Sequence, residues 1–384
     1  MSNTVDSFIN TKKKVVMAVT NDIVTDNRVN RIAQTLIESG LDVTVCGRTF
    51  PSGKIKLSKP YETRRFSLWF NKGPLFYANY NICLFFYLLF SNYDIIVSND
   101  LDTLAACYLA SKIKKSKLVY DSHEYYTEVP ELVNRPAIKR IWENIEKRIL
   151  PDLKYCYTVS QSIAEAYETK YGTQFKVIRN LPDSKQQTDT NKENKPPFPT
   201  NQPVVIYQGA VNLGRGIEEA ILSMHLIKNV NLVIIGIGDL YEKCRSIVAE
   251  EKLEDRVFLT GRIEPSRLKQ YTKHATIGIS VEKDMGLNYR FALPNKLFDY
   301  IMAGIPVLTS SLPEMKRVVS EYHVGISIEE TTPEAIATGI NKMLSSTDDY
   351  LIWKENCFNA SKILCWEKEK NILINIFNDV VNAS

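Results

Sequence analysis

The feature that most constrains the fold is an alternation of short β-branched runs with helical patterns, which occurs twice along the chain. In the first half, strands are predicted near 14–19, 42–46, 94–98, 117–121, 155–159 and 176–179, and helices near 27–39, 101–114, 135–149 and 160–171. The second alternation has predicted strands near 204–208, 231–235, 256–259, 276–280, 306–309 and 324–328. Such alternation is typical of parallel sheets joined by crossover helices. We predict an α/β protein of two Rossmann-like, doubly wound domains whose facing strand ends enclose a central cleft.

Between the two alternations, residues 183–203 lose all periodicity and become polar and proline-rich. This composition is typical of a linker or loop. The predicted division is an N-terminal domain over 1–182, this linker, and a C-terminal domain over 204–360. Residues 361–384 have the pattern of an amphipathic helix. A chain of 384 residues with 44% hydrophobic side chains is sufficient for two cores.

Charge and cysteine content exclude several classes of protein. A net charge of +4 over this length does not indicate nucleic-acid binding, but it is compatible with weak attraction to an anionic membrane surface. The seven cysteines are odd in number and scattered, and the four histidines lack ligand spacing, so we expect reduced thiols and no structural zinc. The first sixteen residues lack the apolar core of a signal peptide. We therefore expect the protein in the cytoplasm.

Residues 74–90, PLFYANYNICLFFYLLF, are strongly apolar. Asn79 and Asn81 interrupt the segment, and the unbroken run 82–90 is shorter than the roughly 20 residues that span a bilayer. The pattern favours a buried helix. The alternative is a helix whose aromatic face touches lipid or a lipid-linked substrate.

The segment RFALPNKLFDYIMAGIPV, residues 290–307, carries signals for the start and end of a helix. Pro294 and Asn295 form the start, with Asn295 as the capping residue, and Gly304 and Pro306 form the end. The predicted helix therefore covers 296–303.

The first turn of this helix suits a phosphate, because its free N–H groups and the ammonium of Lys296 are both positive. Asp299 lies one turn further on the same face, and a carboxylate accepts hydrogen bonds from vicinal hydroxyls. Together these groups fit the ribose phosphate of a nucleotide. The alternative is an ordinary capped helix with an intrahelical ion pair.

Glycines follow the first two predicted strands of the second half. In YQGAVNLGRGIEEAI, Gly209, Gly214 and Gly216 permit close backbone approach, and Arg215 stands at a helix start where a guanidinium can bind phosphate. In VIIGIGDLY, Gly236 and Gly238 lack the third glycine of a dinucleotide fingerprint, so a tight turn explains them equally well.

The order of these pieces resembles the family 4 group of retaining glycosyltransferases with the GT-B fold, of the type that builds bacterial surface polysaccharides. The C-terminal half contributes VFLTGRIEPSRLKQYTKHATIGIS and ALPNKLFDYIMAGIPVLTSS to this resemblance. The N-terminal half contributes TDNRVNRIAQTLIESGLDVTV, YDSHEYYTEVPEL and TVSQSIAEAYETKYG. The resemblance covers nearly the whole chain, and YDSHEYYTEVPEL and ALPNKLFDYIMAGIPV are its most specific parts.

On the donor side, the resemblance implies that Asp299 is the second carboxylate of the family's E-x7-E motif and holds the ribose hydroxyls. The first carboxylate would fall at position 291, where this chain has Phe291. Glu282 and Asp284 are candidate replacements for it. Lys296 and Arg215 match the basic pair that neutralises the diphosphate. Asn295, directly before Lys296, is assigned to the same donor site. The loop of Gly261, Arg262 and Ile263 is where such proteins clasp the base.

On the other side of the cleft, the resemblance places His123 near the transferring sugar, and the alternative is a strand-end histidine hydrogen-bonded to backbone. Asp26, Arg28 and Glu124 are assigned to the acceptor side. For Asp26 and Arg28, a helix cap and a solvated charge remain the alternative. Asp100 and Asp102 are predicted to be helix caps.

The implied activity is retaining and metal-independent, and it needs no cofactor. It moves a sugar from a UDP- or GDP-sugar to a glycan or lipid-linked acceptor, with peripheral contact at the inner face of the membrane. Two alternatives share the fold: a sugar-nucleotide epimerase and a catalytically silent paralogue that binds nucleotide.

Overall fold

The computed structural model describes residues 12–21, 23, 26–49, 59–133, 135–184 and 195–383. Half of the predicted linker, residues 185–194, lies outside the described residues. The described residues form two parallel sheets, one from the chain before this segment and one from the chain after it.

The N-terminal domain has seven parallel strands in the order β3-β2-β1-β4-β5-β6-β7. They are β1 Lys14–Ala18, β2 Asp42–Arg48, β3 Glu62–Phe66, β4 Ile95–Asn99, β5 Lys117–Ser122, β6 Tyr155–Thr158 and β7 Lys176–Val177. The helices between them are α1 Asn27–Glu38, α2 Gly73–Phe90, α3 Leu101–Lys114, α4 Pro130–Val133, α5 Pro136–Ile149 and α6 Gln161–Tyr171.

The C-terminal domain has six parallel strands in the order β10-β9-β8-β11-β12-β13. They are β8 Val204–Gln208, β9 Asn231–Ile235, β10 Val257–Gly261, β11 Ile277–Ser280, β12 Val307–Ser310 and β13 Gly325–Ile328. The helices are α7 Ile217–Ser223, α8 Tyr241–Glu250, α9 Pro265–Thr272, α10 Leu287–Arg290, α11 Asn295–Met302, α12 Pro313–Tyr322, α13 Pro333–Ser345, α14 Thr347–Ser361 and α15 Trp366–Asn382. The prediction of two doubly wound α/β domains is confirmed.

The edge strand β3 was missed by the prediction. Its sequence ETRRF has no β-branched apolar run, and Glu62 and Arg64 are exposed. An edge strand needs only one neighbour and tolerates charged side chains, which also protect it from pairing with other chains. Its apolar signal is therefore weak.

The C-terminal helix α15 packs on the N-terminal domain. Trp366, Leu373 and Phe377 lie in the same buried cluster as the β1 residue Val15. The indole N–H of Trp366 donates to Thr35 Oγ1 at 3.0 Å, and Arg179 pairs with Glu369 at 2.8 Å. The end of the chain therefore ties the two domains together.

Direct hydrogen bonds also join the domains across the cleft. The carboxylate of Glu314, on α12, accepts from the backbone N–H of Ser162 at 2.7 Å and from its hydroxyl at 2.6 Å. The hydroxyl of Ser160 donates to the carbonyl of Phe291 at 2.9 Å. The carboxyl ends of the two sheets therefore face each other closely.

The expectation that residues 74–90 form a buried helix is wrong for one side of α2. Phe76, Tyr80, Leu84 and Leu88 are buried against the sheet and α3. On the opposite side, large apolar side chains are exposed: Leu75, Ile82, Phe86 and Phe90. By length and composition alone, α2 could cross a membrane, but its inner side belongs to the core of the domain.

Candidate active site

Helix α11 begins at Asn295, directly after the extended residue Pro294, and no side chain caps its start. The prediction that Asn295 caps the helix is wrong, because Asn295 is the first helical residue and its side chain is exposed. The proline favours this arrangement, since its fixed φ ends the preceding loop. Gly304, with φ of +73°, follows the helix in the left-handed conformation that glycine adopts readily.

Lys296, Arg215 and Glu282 meet at the carboxyl end of the second sheet. Lys296 Nζ lies 2.6 Å from Glu282 Oε1 and 4.2 Å from the centre of the Tyr207 ring. Arg215 Nη1 lies 3.7 Å from the same oxygen, and Ser280 Oγ donates to the other oxygen at 2.8 Å. Burial opposes ionisation of Glu282, but the adjacent ammonium outweighs it and holds the pKa of this carboxyl below its ordinary value.

Asp299 is fixed by a separate chain of hydrogen bonds. The side-chain amide of Gln208 donates to Asp299 Oδ2 at 3.0 Å, and Thr272 Oγ1 donates to the amide oxygen of Gln208 at 2.8 Å. Burial raises the pKa of Asp299. Because Lys296 and Asp299 bond to different partners, the alternative of an intrahelical ion pair between them is wrong.

The glycines mainly allow close packing between loops of the protein itself. A Cβ added at Gly236 would lie 1.8 Å from the carbonyl oxygen of Gly209, and one at Gly216 would lie 2.1 Å from that of Val281. Gly214 and Gly238 are also tightly packed, whereas a Cβ at Gly209 would make only ordinary contacts, the nearest at 3.6 Å to Lys296 Cε. Arg215, between two of these glycines, lies 5.3 Å from the centre of the Tyr289 ring.

The loop after β10 contains the residues expected to clasp a base. Gly261 ends the strand with φ of +71°, Arg262 is exposed, and Ile263 is half-buried. This loop and the glycine loops follow the neighbouring strands β10, β9 and β8, so all of them lie at the same edge of the sheet.

Phe291 lies at the contact between the domains. Its ring centre is 6.2 Å from that of Tyr125, and its carbonyl accepts from Ser160. Of the two candidate replacements, Asp284 pairs with Arg290 at the surface, whereas Glu282 lies beside Lys296. The acid that contacts both Lys296 and Arg215 is therefore Glu282.

His123 is held between two carboxylates at the carboxyl end of the first sheet. Its Nε2 lies 2.9 Å from Asp121 Oδ2 and its Nδ1 lies 3.2 Å from Asp100 Oδ2. Burial lowers the pKa of His123, but the two acids outweigh burial and raise it well above its usual value. The two flanking carboxylates therefore favour the imidazolium form, and the alternative of a ring bonded to backbone is wrong.

The prediction that Asp100 and Asp102 cap α3 is wrong for both side chains. Asp100 stands at the capping position but makes no side-chain bond to the helix, and it accepts instead from the backbone N–H of His123 at 2.8 Å. Asp102 accepts from the hydroxyl of Thr20, and its other oxygen is buried with no hydrogen-bond partner among the described residues. Burial raises the pKa of Asp102 to about 7.

Arg28 is a buried partner of the same cluster. Its Nη2 lies 2.8 Å from Asp121 Oδ1, and its Nη1 donates to the carbonyl of Ile178 at 3.1 Å. The alternative of a solvated charge is therefore wrong. Although burial opposes ionisation, Arg28 and His123 together lower the pKa of Asp121 to about 2. Sequence reasoning did not identify Asp121, although it lies in the quoted segment YDSHEYYTEVPEL.

The other two acceptor-side candidates hydrogen-bond to residues outside this cluster. Asp26 caps α1, because its carboxylate accepts from the N–H of Val29 at 3.0 Å. Glu124 is exposed and accepts from the side-chain amide of Asn288 in the other domain at 3.3 Å. Binding of an acceptor by either residue stays a prediction.

In the described part of the chain, no group of three histidine, cysteine or acidic side chains could hold a metal ion. The expectation of a metal-independent reaction without cofactor stays a prediction.

Comparisons with known proteins identify the chain as a glycosyltransferase. Residues 26–185 match the family described as Glycosyltransferase Family 4, and residues 188–359 match the family described as Glycosyl transferases group 1. Two uncharacterized glycosyltransferases of Methanocaldococcus jannaschii are similar in sequence. One is 25% identical over 173 residues, which is 44% of this chain and 41% of the relative. The other is 22% identical over 323 residues, which is 78% of each chain.

Solved structures share the fold along almost the whole chain. Sucrose-phosphate synthase from Thermosynechococcus elongatus has a TM-score of 0.79 and 18% identity, covering 97% of this chain and 100% of its own. A glycosyltransferase from Rickettsia africae has a TM-score of 0.77 and 14% identity, with the same coverage. Anabaena HepE, solved in complex with UDP-glucose, has a TM-score of 0.72 and 14% identity, covering 96% of this chain and 100% of its own.

Proposed function

The chain is a glycosyltransferase of GT-B type, and we propose that it transfers a sugar from a UDP- or GDP-sugar to a glycan or lipid-linked acceptor, with retention of configuration. The observation that carries this proposal is the start of α11, where Lys296 and Arg215 both contact Glu282 and Asp299 lies one turn beyond Lys296. The proposed setting is surface polysaccharide synthesis in the cytoplasm, at the inner face of the membrane.

The basic pair has donors left for a diphosphate. An ammonium has three N–H donors and a guanidinium has five, and the described contact of Lys296 with Glu282 uses one of them. Two cations and one carboxylate leave one net positive charge, which favours a dianionic group. Asp299 has a second oxygen to accept hydrogen bonds from ribose hydroxyls, while Gln208 holds the first.

A pocket of about 400 Å³ beside Glu282 is the proposed binding site of the donor sugar. It is lined largely by polar side chains, among them Asp284, Ser310, Ser311 and Glu329. The hydroxyl of Ser310 is buried and has no hydrogen-bond partner within the described chain. A hydroxyl-rich ligand could satisfy it. That HepE was solved with UDP-glucose supports a nucleotide-sugar as the donor.

The proposed chemistry depends on neutralising the leaving group. The bond from the sugar C1 to the diphosphate oxygen breaks, and a bond from C1 to the acceptor oxygen forms on the same face. The acceptor proton passes to the departing phosphate oxygen. Lys296 and Arg215 stabilise the negative charge that develops on the diphosphate. Such stabilisation by preorganised charges is usually the largest single contribution to catalysis. His123 faces this reaction from the other domain, and its longer contact, to Asp100, is the one that a sugar hydroxyl would replace.

A panel of UDP-, GDP- and ADP-sugars tests the proposal. Calorimetry identifies the nucleotide that binds, and release of nucleoside diphosphate is then followed with and without membrane glycan extracts as acceptor. We expect acceptor-dependent release and a product with the donor's anomeric configuration. Conversion of the sugar without an acceptor would identify an epimerase, and binding without turnover would identify a silent paralogue.

A further inference from the structure

The outward side of α2 and the loop before it form an apolar surface, which we call the α2 face. It consists of Trp69, Phe70, Leu75, Ile82, Phe86 and Phe90. Trp69 is 89% exposed and Phe90 is 82% exposed. The spacing of the four helical members places them on one side of the helix. Exposed apolar side chains of this size in one patch indicate an interaction site.

Helix α2 is unusual because none of its 18 residues is charged. A helix on the surface of a soluble domain normally turns charged and polar side chains outward. The two asparagines of α2 are used within the protein: Asn79 accepts from the N–H of Trp69 at 2.9 Å, and Asn81 donates to the carbonyl of Asp102 at 2.7 Å. The outward side is left to leucine, isoleucine and phenylalanine.

Lysines border this surface. Lys72 directly precedes α2, and Lys112, Lys114 and Lys115 lie at the end of the neighbouring helix α3, which also exposes two apolar side chains, Leu109 and Ile113. Lys114 Nζ donates to Asn92 Oδ1 at 3.2 Å, so this end of α3 adjoins the end of α2. Lys112 pairs with Asp152 at 3.5 Å. Lys72 and Lys115 are exposed, with no ion pair to another described residue.

The α2 face begins at the edge of the cleft. Trp69 follows the parallel strand β3, and loops after parallel strands lie at the edge where ligands bind. Within α2, Tyr77 packs on Trp142 with ring centres 5.3 Å apart, and Trp142 also packs on Tyr126 at 5.4 Å. Tyr126 lies three residues after His123. The inner side of α2 therefore contacts the segment that follows His123, on the acceptor side of the proposed active site.

We propose that the α2 face docks on the surface of an anionic phospholipid membrane, with α2 lying in the plane of the interface. Apolar side chains enter the acyl boundary, Trp69 lies at the headgroup level, and the lysines contact the anionic headgroups. The helix does not cross the bilayer, because Tyr80 and Leu84 on its other side belong to the domain core. The docked cleft then opens toward a lipid-linked acceptor. Only this last step rests on the proposed function.

Binding to vesicles tests the docking without any activity measurement. The whole protein is sedimented with vesicles of phosphatidylcholine alone and of phosphatidylcholine with phosphatidylglycerol. The first variant combines Ile82→Ser, Phe86→Ser and Phe90→Ser. A matched control combines Leu351→Ser, Ile352→Ser and Phe358→Ser, three comparably exposed apolar residues of α14 in the other domain. A second variant combines Lys72→Glu and Lys115→Glu.

We expect the unmodified protein and the α14 control to bind the anionic vesicles, and the α2 serine variant to bind at least about 30-fold more weakly. The lysine variant should bind at least about 25-fold more weakly, since each basic residue near an anionic surface contributes about fivefold and each glutamate adds repulsion. High salt should weaken only the lysine contribution, so that part of the binding persists. Nucleotide calorimetry and thermal unfolding verify that each variant is folded.

Three outcomes would overturn the proposal. One is an unmodified protein that binds neither kind of vesicle, and another is a serine variant that binds as well as the unmodified protein. The third is a dimer that the serine substitutions convert to a monomer in light scattering, which would show that a second copy covers the α2 face. Vesicle binding without sugar transfer would leave the docking intact and contradict only the proposed acceptor.

Discussion

Lys296 contributes both to the fold and to the proposed site. Its ammonium is almost fully buried against Glu282, so it neutralises a carboxylate that would be costly to bury alone. The same residue lies at the start of α11, one helical turn before Asp299, where a phosphate would bind. Substitution of Lys296 alone would therefore change stability and binding together, and a second substitution is needed to separate them.

We predict that Lys296→Ala lowers the free energy of unfolding by about 3 kcal/mol, because Glu282 is left buried without its closest cation. Nucleotide binding should weaken by about 1 to 3 kcal/mol through loss of a charge-assisted hydrogen bond. The double variant Lys296→Ala, Glu282→Gln should recover most of the stability but not the affinity. Urea unfolding and calorimetry measure the two quantities, and recovery of both would show that Lys296 does not bind phosphate.

We predict that His123→Ala lowers kcat by about 10²-fold or more and leaves nucleotide affinity within about twofold. The reason is that His123 lies on the N-terminal domain, whereas the proposed nucleotide site lies on the other one, so its contribution depends on the closed cleft. The matched control is His225→Ala, which removes an exposed histidine paired with Glu251. Equal losses of affinity and turnover would assign His123 a structural role only.

The pH dependence of stability provides a second check on His123. Its folded-state pKa is raised, so its contribution to stability is fully present below the unfolded value, near 6.5, and is lost as pH rises through the raised pKa. The stability difference between the unmodified protein and His123→Ala should therefore be larger at pH 6 than at high pH. A constant difference would contradict the imidazolium assigned to this ring.

At the scale of helices and strands, the sequence predicted features that depend on neighbouring residues better than contacts between residues far apart in the chain. The bounds of α11 and α2 could be predicted from proline, glycine and apolar runs. Lys296 and Asp299 could be assigned to one site because the same helix carries both. The Arg28 to Asp121 pair joins residues 93 positions apart, and no local signal brings them together. For the same reason the sequence predicted that α2 is a helix but not which of its apolar sides is buried, because burial depends on the neighbouring elements.

A buried carboxyl between α5 and α6 yields a prediction at this scale. Glu146 is fully buried and accepts from the hydroxyl of Tyr171 at 2.7 Å, and burial raises its pKa to about 7. A raised pKa means that its contribution to stability is complete below the unfolded value, near 4.5, and is lost as pH rises through about 7. Glu146→Gln should therefore stabilise the protein at pH 8 by up to about 3 kcal/mol, and much less at pH 5.

Urea unfolding at the two pH values measures this effect. The control is Glu165→Gln, which changes an exposed glutamate of α6 and should leave the pH dependence unaltered. A Glu146→Gln variant that loses stability equally at both pH values would indicate that the carboxylate is needed as an ion.

For the whole molecule, the sequence predicted two domains but not the contacts that set their relative position. Glu314 and Ser162 are 152 residues apart, and each has an ordinary local interpretation, one near a helix start and one in the first turn of α6. Only the structure shows that the glutamate of one domain accepts from the first turn of a helix in the other. Because the proposed donor and acceptor groups lie on different domains, such contacts decide whether they can meet.

We predict that Glu314→Ala favours an open cleft. The buried carboxylate accepts two hydrogen bonds from Ser162, and its loss leaves the N–H and hydroxyl of that residue without their partner when the domains close. Turnover should fall about 10-fold, since closure assembles the site, while nucleotide affinity should stay within about twofold. X-ray scattering should show a larger radius of gyration. The control Glu321→Ala, an exposed residue on the same helix α12, should change neither quantity. If turnover falls while the scattering profile stays unchanged, Glu314 acts locally on the site and the contact with Ser162 does not govern closure.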